Sequence, residues 1–318
     1  MPNPDKTPAP LLPKIAPHAG WNRNLHFANK HIELVATLDV GPRILHLSTP
    51  GGQNIFKTYP HQLGGHGETE WMIRGGHRFW IAPEDLERTY HRDNYPVEHT
   101  QNLATGEVVI ESTQEAGGQI QKTLGLTVAP DAPRVTVRHT ARNIDSVPLE
   151  FSVWALSVMA PGGIEIIPQP PLGEHPRDLL PNRSMTLWPY TDLSDPRWRI
   201  GRDFFTLSQR PALPPAKIGL AHRMRWVAYA LGHSLFVKTF EYLEGAIYPD
   251  GGCNFETFTN SDMLEIESLA PLKTLAPGEE FTHIEHWSLL PLDSKIVTTS
   301  DADLAKILPP LIARTGLL

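Results

Sequence analysis

Residues 247–290 read IYPDGGCNFETFTNSDMLEIESLAPLKTLAPGEEFTHIEHWSLL, and the fold is decided there. The stretch opens on turn residues, Tyr248-Pro249-Asp250-Gly251-Gly252, followed by a short strand-like run from Cys253 to Phe258. Asn260-Ser261-Asp262 turns the chain again, and Met263 to Leu269 forms the next strand. Leu275-Ala276-Pro277-Gly278-Glu279-Glu280 is a further turn, and Phe281 to Leu290 closes the unit. Side chains alternate across a strand, so Met263, Glu265 and Glu267 share one side. Leu264, Ile266 and Leu269 do not make one clean face, because Ser268 interrupts them. Carboxylates two residues apart on one strand face repel unless cations, donors or water separate them. That repulsion does nothing for folding, so this face is a candidate site.

Upstream, the same grammar of short strands and turns recurs. His31 to Leu38 places Ile32, Leu34, Ala36 and Leu38 on one face, and after Asp39-Val40-Gly41-Pro42 the chain returns as Arg43 to Ser48. Asn54 to Lys57 reads as another short strand. Glu107–Ser112, Gln119–Val128, Arg134–Asn143, Leu149–Met159, Arg223–Ala230 and Leu235–Tyr242 alternate as strands. Turn signals such as Gly117-Gly118 and Pro130-Asp131-Ala132-Pro133 separate them. Half of the 24 glycines stand in adjacent pairs and there are 31 prolines, which suits many turns. Strands without intervening helices indicate sheet packed on sheet rather than alternating strand and helix. Pro161 to Pro215 reads as irregular. One helix is expected near the end, with Ser300 as N-cap, Asp301 and Asp303 in its first turn, and Pro309-Pro310 ending it after Leu308.

Tyr59 to His99 is different in kind. It holds five of the fifteen histidines (His61, His66, His77, His91, His99) along with Trp71, Trp80, Arg74, Arg78, Glu84 and Asp85. Loops of such composition carry function. Arg74-Gly75-Gly76 reads as a turn into a strand on which His77 and Phe79 face one way, and Arg78 and Trp80 the other.

Three places resemble the galactose mutarotase-like superfamily, the aldose 1-epimerases and their relatives. They are HIELVATLDVGPRILHL at 31–47, GGHRFWIAPE at 75–84, and MLEIESLAP followed by LAPGEEFTHIEHWSLL at 263–290. The pattern covers roughly Trp21 to Leu290 and looks closest to an uncharacterised branch. The resemblance implies an all-β antiparallel supersandwich with a short C-terminal helix. With no repeat and no linker visible, the chain reads as a Pro-rich leader (1–20, disordered or an extended strap), one sandwich domain (21–290) and a C-terminal extension (291–318). The resemblance also implies a reaction: a glutamate takes the proton of the anomeric hydroxyl, an acid protonates the ring oxygen, and the ring opens and recloses on the other face.

Position by position, the resemblance makes Glu267 the base, with Glu265 behind it, and sets His77 and Arg78 at the substrate. The stretch PLEFSVWALSVMAPGG at 148–163 has no histidine where the family carries its acid, which leaves His77 or His91 to supply the proton. Trp80, Trp154 and Trp188 are candidate platforms for apolar sugar faces. Glu84, His91, Glu256 and Glu265 complete the expected ligand-binding set with Arg78. Three readings follow: an epimerase-like isomerase, a non-catalytic carbohydrate-binding protein on the same fold, and a carbohydrate lyase or hydrolase. The ligand expected is a small sugar or oligosaccharide, and Arg43, Arg74, Arg78 and Lys238 leave an acidic sugar open.

Other classes fit poorly. A net charge of −7 disfavours nucleic acid and anionic membrane as partners. No cofactor is expected, since the chain lacks a phosphate-binding Gly-Lys-Ser/Thr loop and a dinucleotide fingerprint, and it lacks a Gly-x-Ser-x-Gly elbow as well. No metal is expected either, because His283 and His286 fall on opposite faces of a strand. The lone Cys253 reads as a buried structural thiol. No apolar run approaches the roughly 20 residues that span a bilayer, and the N-terminus has no export-signal core, so the expected location is cytoplasmic.

Overall fold

A computed structural model of the chain describes residues 9–113 and 118–318. Residues 1–8 of the Pro-rich leader, and Gly117 of the expected Gly117-Gly118 turn, lie outside the described residues. The first strands are β1 (Lys14–His18), β2 (Trp21–Ala28), β3 (Glu33–Thr37), β4 (Arg43–Ser48) and β5 (His77–Ala82). Next come β6 (Val97–Gln101), β7 (Val108–Ser112), β8 (Ile120–Val128), β9 (Arg134–Asn143) and β10 (Leu149–Val158). The middle of the chain adds β11 (Ile164–Pro168), β12 (Met185–Leu187), β13 (Trp198–Ile200), β14 (Phe204–Leu207) and β15 (Ala216–Leu220). The last strands are β16 (Trp226–Leu231), β17 (Ser234–Phe240), β18 (Phe255–Thr259), β19 (Leu264–Leu269), β20 (Lys273–Leu275) and β21 (Glu280–Pro291), before helix α1 (Asp301–Thr315).

Alternation sorts these strands into two large antiparallel sheets. One has eleven strands, ordered β1-β2-β3-β4-β5-β10-β19-β18-β15-β12, with β20 paired to β10. The other has ten, ordered β13-β14-β11-β16-β17-β21-β9-β8-β7-β6. A single apolar cluster draws on both: Leu34 and Ala36 of β3 and Val153 of β10 from the first, Leu126 of β8, Val137 of β9 and Trp287 of β21 from the second. The expected face of Ile32, Leu34, Ala36 and Leu38 is fully buried. The stretch read as a strap supplies the edge strand β1, which pairs with β2.

Three readings need correction. Pro161 to Pro215 is not irregular throughout, since it contains β11, β12, β13 and β14. These runs are three to five residues long, too short for alternation to register, and their prolines lie between strands or, at Pro168, on a last strand position. Asn54–Lys57 forms only an isolated bridge, Phe56 to Met159. The helix does not end at Pro309-Pro310 but continues to Thr315, where Gly316 (φ 62°) caps it. Interior proline costs a helix about 3 kcal/mol. The stripe of Leu304, Leu308 and Ile312 offsets this by packing against Trp226, Val237 and Leu292. The Ser300 hydroxyl makes no cap bond; Asp301 instead accepts the backbone N–H groups of Arg202 and Phe204, tying the helix to β14.

The turn into β5 fixes everything downstream. Arg74, Gly75 and Gly76 are all left-handed (φ 49°, 81° and 73°), and a Cβ on Gly75 or Gly76 would strike the carbonyl of Lys57 or Ile44. Buried Arg43 donates to Ile73 O and Gly75 O and pairs with Asp93, while buried Arg74 pairs with Glu68 and donates to Asn94. These bonds clamp the 63–94 loop and set the parity of β5.

Candidate functional site

On β5, Arg78 and Trp80 point away from the second sheet. In register with them, β10 presents Leu156 opposite Arg78 and Trp154 opposite Trp80. Leu156 lies opposite Glu267 of β19, and Glu267 in turn lies directly opposite Glu256 of β18. Beyond β18, β15 contributes Lys217 on the same face. Pairing and parity thus gather Arg78, Glu265, Glu267, Glu256 and Lys217 from four strands.

The charges interlock. Arg78 pairs with Glu265 at 3.1 Å. Lys217 Nζ lies 2.6 Å from Glu256 Oε2 and 3.1 Å from Glu267 Oε2. Glu256 Oε1 has no hydrogen-bond partner among the described residues. Trp154 Nε1 donates to Glu267 Oε2 at 2.9 Å. Burial is nearly complete: Glu267 is 1% exposed and Glu256 0%. Burial raises the pKa of Glu267, opposed by Lys217 and Trp154 and reinforced by Glu265. Burial holds Glu256 well above the ordinary carboxylate range, with Glu267 and Asp250 adding to the rise. For Lys217, burial works against the charge, but the attraction of Glu267 and Glu256 prevails and its pKa goes up.

Aromatic rings wall the cluster. Trp80 stands 5.4 Å from Trp154, 5.1 Å from Trp71 and 4.8 Å from Tyr90, between ring centroids. The Arg78 guanidinium lies 4.5 Å from the Trp80 ring centre, and Lys217 Nζ lies 4.3 Å from that of Trp154 and 4.7 Å from that of Trp188. Tyr90 donates to Glu84 at the rim. Tyr190, 46% exposed, lies beside the cluster, and partial burial pushes its pKa up to about 12.

The opposite face of the same strands carries a second polar cluster, which includes His77. Its tautomers follow from one bond. His139 Nδ1 donates to the His283 carbonyl, so in a neutral ring its Nε2 accepts, and His77 Nε2 must donate to it across 2.7 Å. His77 Nδ1 then accepts from the Ser157 hydroxyl, which receives Lys238 Nζ–H. Glu285 takes Ser268 Oγ–H, the Trp287 indole N–H and Lys238. Burial keeps these rings neutral, with His139 and His283 pushed down to about 3. His77, His139 and Glu285 bring three ligand-type atoms within 4.8 Å of one another, but those atoms are already engaged in this network.

No protein-family model and no curated protein matches this sequence. Solved structures do match in shape. A galactose mutarotase-like protein from Lactobacillus casei ATCC 334 is 11% identical, over 84% of this chain and 100% of that one, with a TM-score of 0.52. The chain has the galactose mutarotase-like fold. A second galactose mutarotase-like protein, from Clostridium acetobutylicum, is 10% identical over 89% of this chain and 99% of that one, with a TM-score of 0.52. A longer chain is also similar in shape: a TPR-domain containing protein from Parabacteroides distasonis ATCC 8503 is 13% identical with a TM-score of 0.56, and 88% of this chain spans about half of that one (49%).

On this mutarotase-like fold the expected residues separate into groups. Glu267, Glu265, Glu256, Arg78, Trp80 and Trp154 are brought together, with Glu84 at the rim through Tyr90. His77 faces the space between the sheets. His91 lines a cleft with Ile81, Gln119 and Lys122 on that other side. Neither pairs with Glu267, whose partners are Trp154 and Lys217. Of the cations that left an acidic sugar open, Arg43, Arg74 and Lys238 are buried and paired elsewhere. Cys253 is buried beside Gly219 and Trp188, and burial pushes its thiol up to about 12. Lys217 was missed: its strand follows Pro-Ala-Leu-Pro-Pro and has only five residues, although Ala216, Ile218 and Leu220 do alternate with it. Among the described residues, no helix is long and apolar enough to cross a membrane.

Proposed function

We propose that the outer face of the eleven-stranded sheet binds a sugar ring and interconverts its anomers, with Glu267 taking the anomeric proton. One observation carries this reading. A buried carboxylate of raised pKa, oriented by an indole N–H and an ammonium, lies among Trp80, Trp154 and Trp188. Indole faces suit the apolar faces of pyranoses. A base of this kind needs a pKa lifted toward neutrality. The charge balance favours a neutral sugar over a phosphate or uronate: the two cations described on this face, Arg78 and Lys217, already serve three carboxyl groups.

The test is exchange NMR of α and β anomers across a panel of free aldoses, with the wild type and Glu267→Gln. The wild type accelerates exchange for at least one sugar. The variant is slower by about 100-fold or more, the usual worth of a general base, while sugar resonances still broaden on binding. A variant with near-normal rates would remove Glu267 from the chemistry.

A second reading, a sugar-binding protein without turnover, draws on the partners of Glu267, Trp154 and Lys217, neither of which is a histidine. It is the outcome if a sugar broadens and no sugar exchanges.

A further inference from the structure

Two carboxyl groups directly opposite each other on paired antiparallel strands, both fully buried, share a single ammonium. Their Oε2 atoms can be no farther apart than the sum of their two distances to Lys217 Nζ. Two ionised carboxylates against one cation would leave an uncompensated buried charge, so the favoured state puts a proton on one of them. The donors decide which. Glu267 receives the Trp154 indole N–H as well as Lys217, and donors favour the ionised form. Glu256 has the ammonium alone, on Oε2; its Oε1 is buried without a partner. A proton on that oxygen points at no acceptor in the protein.

We propose that Glu256 is the general acid of this site: it donates its proton to the ring oxygen of the sugar while Glu267 accepts the proton of the anomeric hydroxyl. The proposal rests on the anomer-interconversion reading and supplies an acid where no histidine pairs with Glu267. In ring opening, Glu267 takes the anomeric proton and the C1–oxygen bond becomes a carbonyl. The electron pair of the bond from C1 to the ring oxygen passes to that oxygen, which takes the Glu256 proton. Glu256 is then ionised and Glu267 neutral, and Lys217, in reach of both, follows the negative charge without moving far. Rotation about C1–C2 turns the other carbonyl face. In closure Glu256 takes back the proton of the attacking hydroxyl, and Glu267 returns its own to the carbonyl oxygen. Atoms and charge balance with no co-reactant.

The groups that bear on the Glu256 proton come from every neighbouring element. Lys217 lies on β15, Glu267 and Glu265 on β19, and Asp250 and Cys253 on the turn before β18. Arg78 of β5 is held by Glu265, and Tyr190 lies near enough for the charges of Lys217, Glu267 and Glu256 to act on it.

The experiment is the pH profile of anomer exchange for Glu256→Gln and Glu256→Asp beside the wild type and Glu267→Gln. The wild type loses rate on the alkaline side as Glu256 gives up its proton. Glu256→Gln keeps sugar binding, falls by about 100-fold or more, and has no alkaline limb. Glu256→Asp, still an acid, keeps the limb at reduced rate, and it carries the test should the glutamine variant not fold. Glu256→Gln with a normal rate and an unchanged limb, or Glu256→Asp without a limb, would overturn the assignment and leave Glu267 as base. A wild type that accelerates exchange for no sugar overturns both readings together.

Discussion

Lys217→Met removes the one ammonium that serves both Glu256 and Glu267 while keeping a side chain of similar length between the Trp154 and Trp188 rings. Breaking a buried ion pair by deleting one partner costs about 3–5 kcal/mol, because the remaining charge is uncompensated. The site has one escape, which is to take up a second proton so that both carboxyls are neutral. At pH 8, holding that proton against an ordinary glutamate value of 4.5 costs about 5 kcal/mol, the same size as the penalty it avoids. At pH 5 it costs under about 1 kcal/mol. The sign is that of a group with a raised folded pKa: stability is present below the unfolded value and is lost as pH rises through the folded one. The variant is therefore expected to be less stable than wild type by about 3–5 kcal/mol at pH 8, shrinking to about 1 kcal/mol at pH 5. Urea unfolding of both proteins at the two pH values measures it. An equal loss at both would mean that Lys217 contributes packing alone, and a loss below about 1 kcal/mol at pH 8 would refute the shared-ammonium account.

Two further outcomes follow from the same charge accounting. Glu165 is fully buried, accepts the Thr257 hydroxyl on Oε2 and has no partner on Oε1; burial raises its pKa well above the ordinary value of 4.5. The folded state thus binds one more proton than the unfolded, and Glu165→Gln gains on wild type by about 1.4 kcal/mol per pH unit as pH rises from 4.5 toward the raised value. Urea midpoints of the two proteins that run parallel between pH 5 and 7 would contradict this. In titrations by ligand NMR, a neutral aldose that binds is expected to lose at least about tenfold in affinity when a 6-phosphate is added, since Arg78 and Lys217 at the carboxyl cluster are both already paired; tighter binding of the phosphate would reverse the substrate assignment.

The sheet was legible in the sequence wherever alternation ran long enough, as in Arg134–Asn143, whose bounds match the strand. The carboxyl face of β19 was legible for the same reason, because Glu265 and Glu267 are local neighbours with a period of two. The cation that gives them meaning was not, since Lys217 meets Glu267 only across β18. Such contacts are set by strand order, and one chain in isolation does not encode that order in any local pattern. His77 shows the limit from the other direction. Parity placed it opposite to Arg78, correctly, but parity cannot say which face of the strand holds the site. Glu285 was hidden in His-Ile-Glu-His-Trp, where its neighbour His286 is exposed while Glu285 itself is fully buried. The two prolines of α1 misled because a local rule met a stripe of buried leucine and isoleucine that outweighs it.

Two polar clusters occupy opposite faces of β5, β10 and β19, and the difference between them is the best physical guide to which one works. Between the sheets, the His77–His139–His283 chain and the groups around Glu285 form a consistent donor-to-acceptor sequence, with an ammonium paired to a carboxylate and neutral rings throughout. A network closed in this way has nothing left to offer a ligand, and its cost of burial is met within the protein. On the outer face, three carboxyl groups meet two cations, one carboxyl oxygen has no partner, and the Trp80 and Trp154 indoles border the charges. Buried polar groups left incomplete are costly unless something completes them. A sugar can: its hydroxyls donate and accept, and its C–H faces lie on indole. The outer face is therefore unfinished in the way a binding site must be, whereas the cluster of His77 and Glu285 is closed, although Glu165 Oε1, beside Thr257 on that inner side, also lacks a partner.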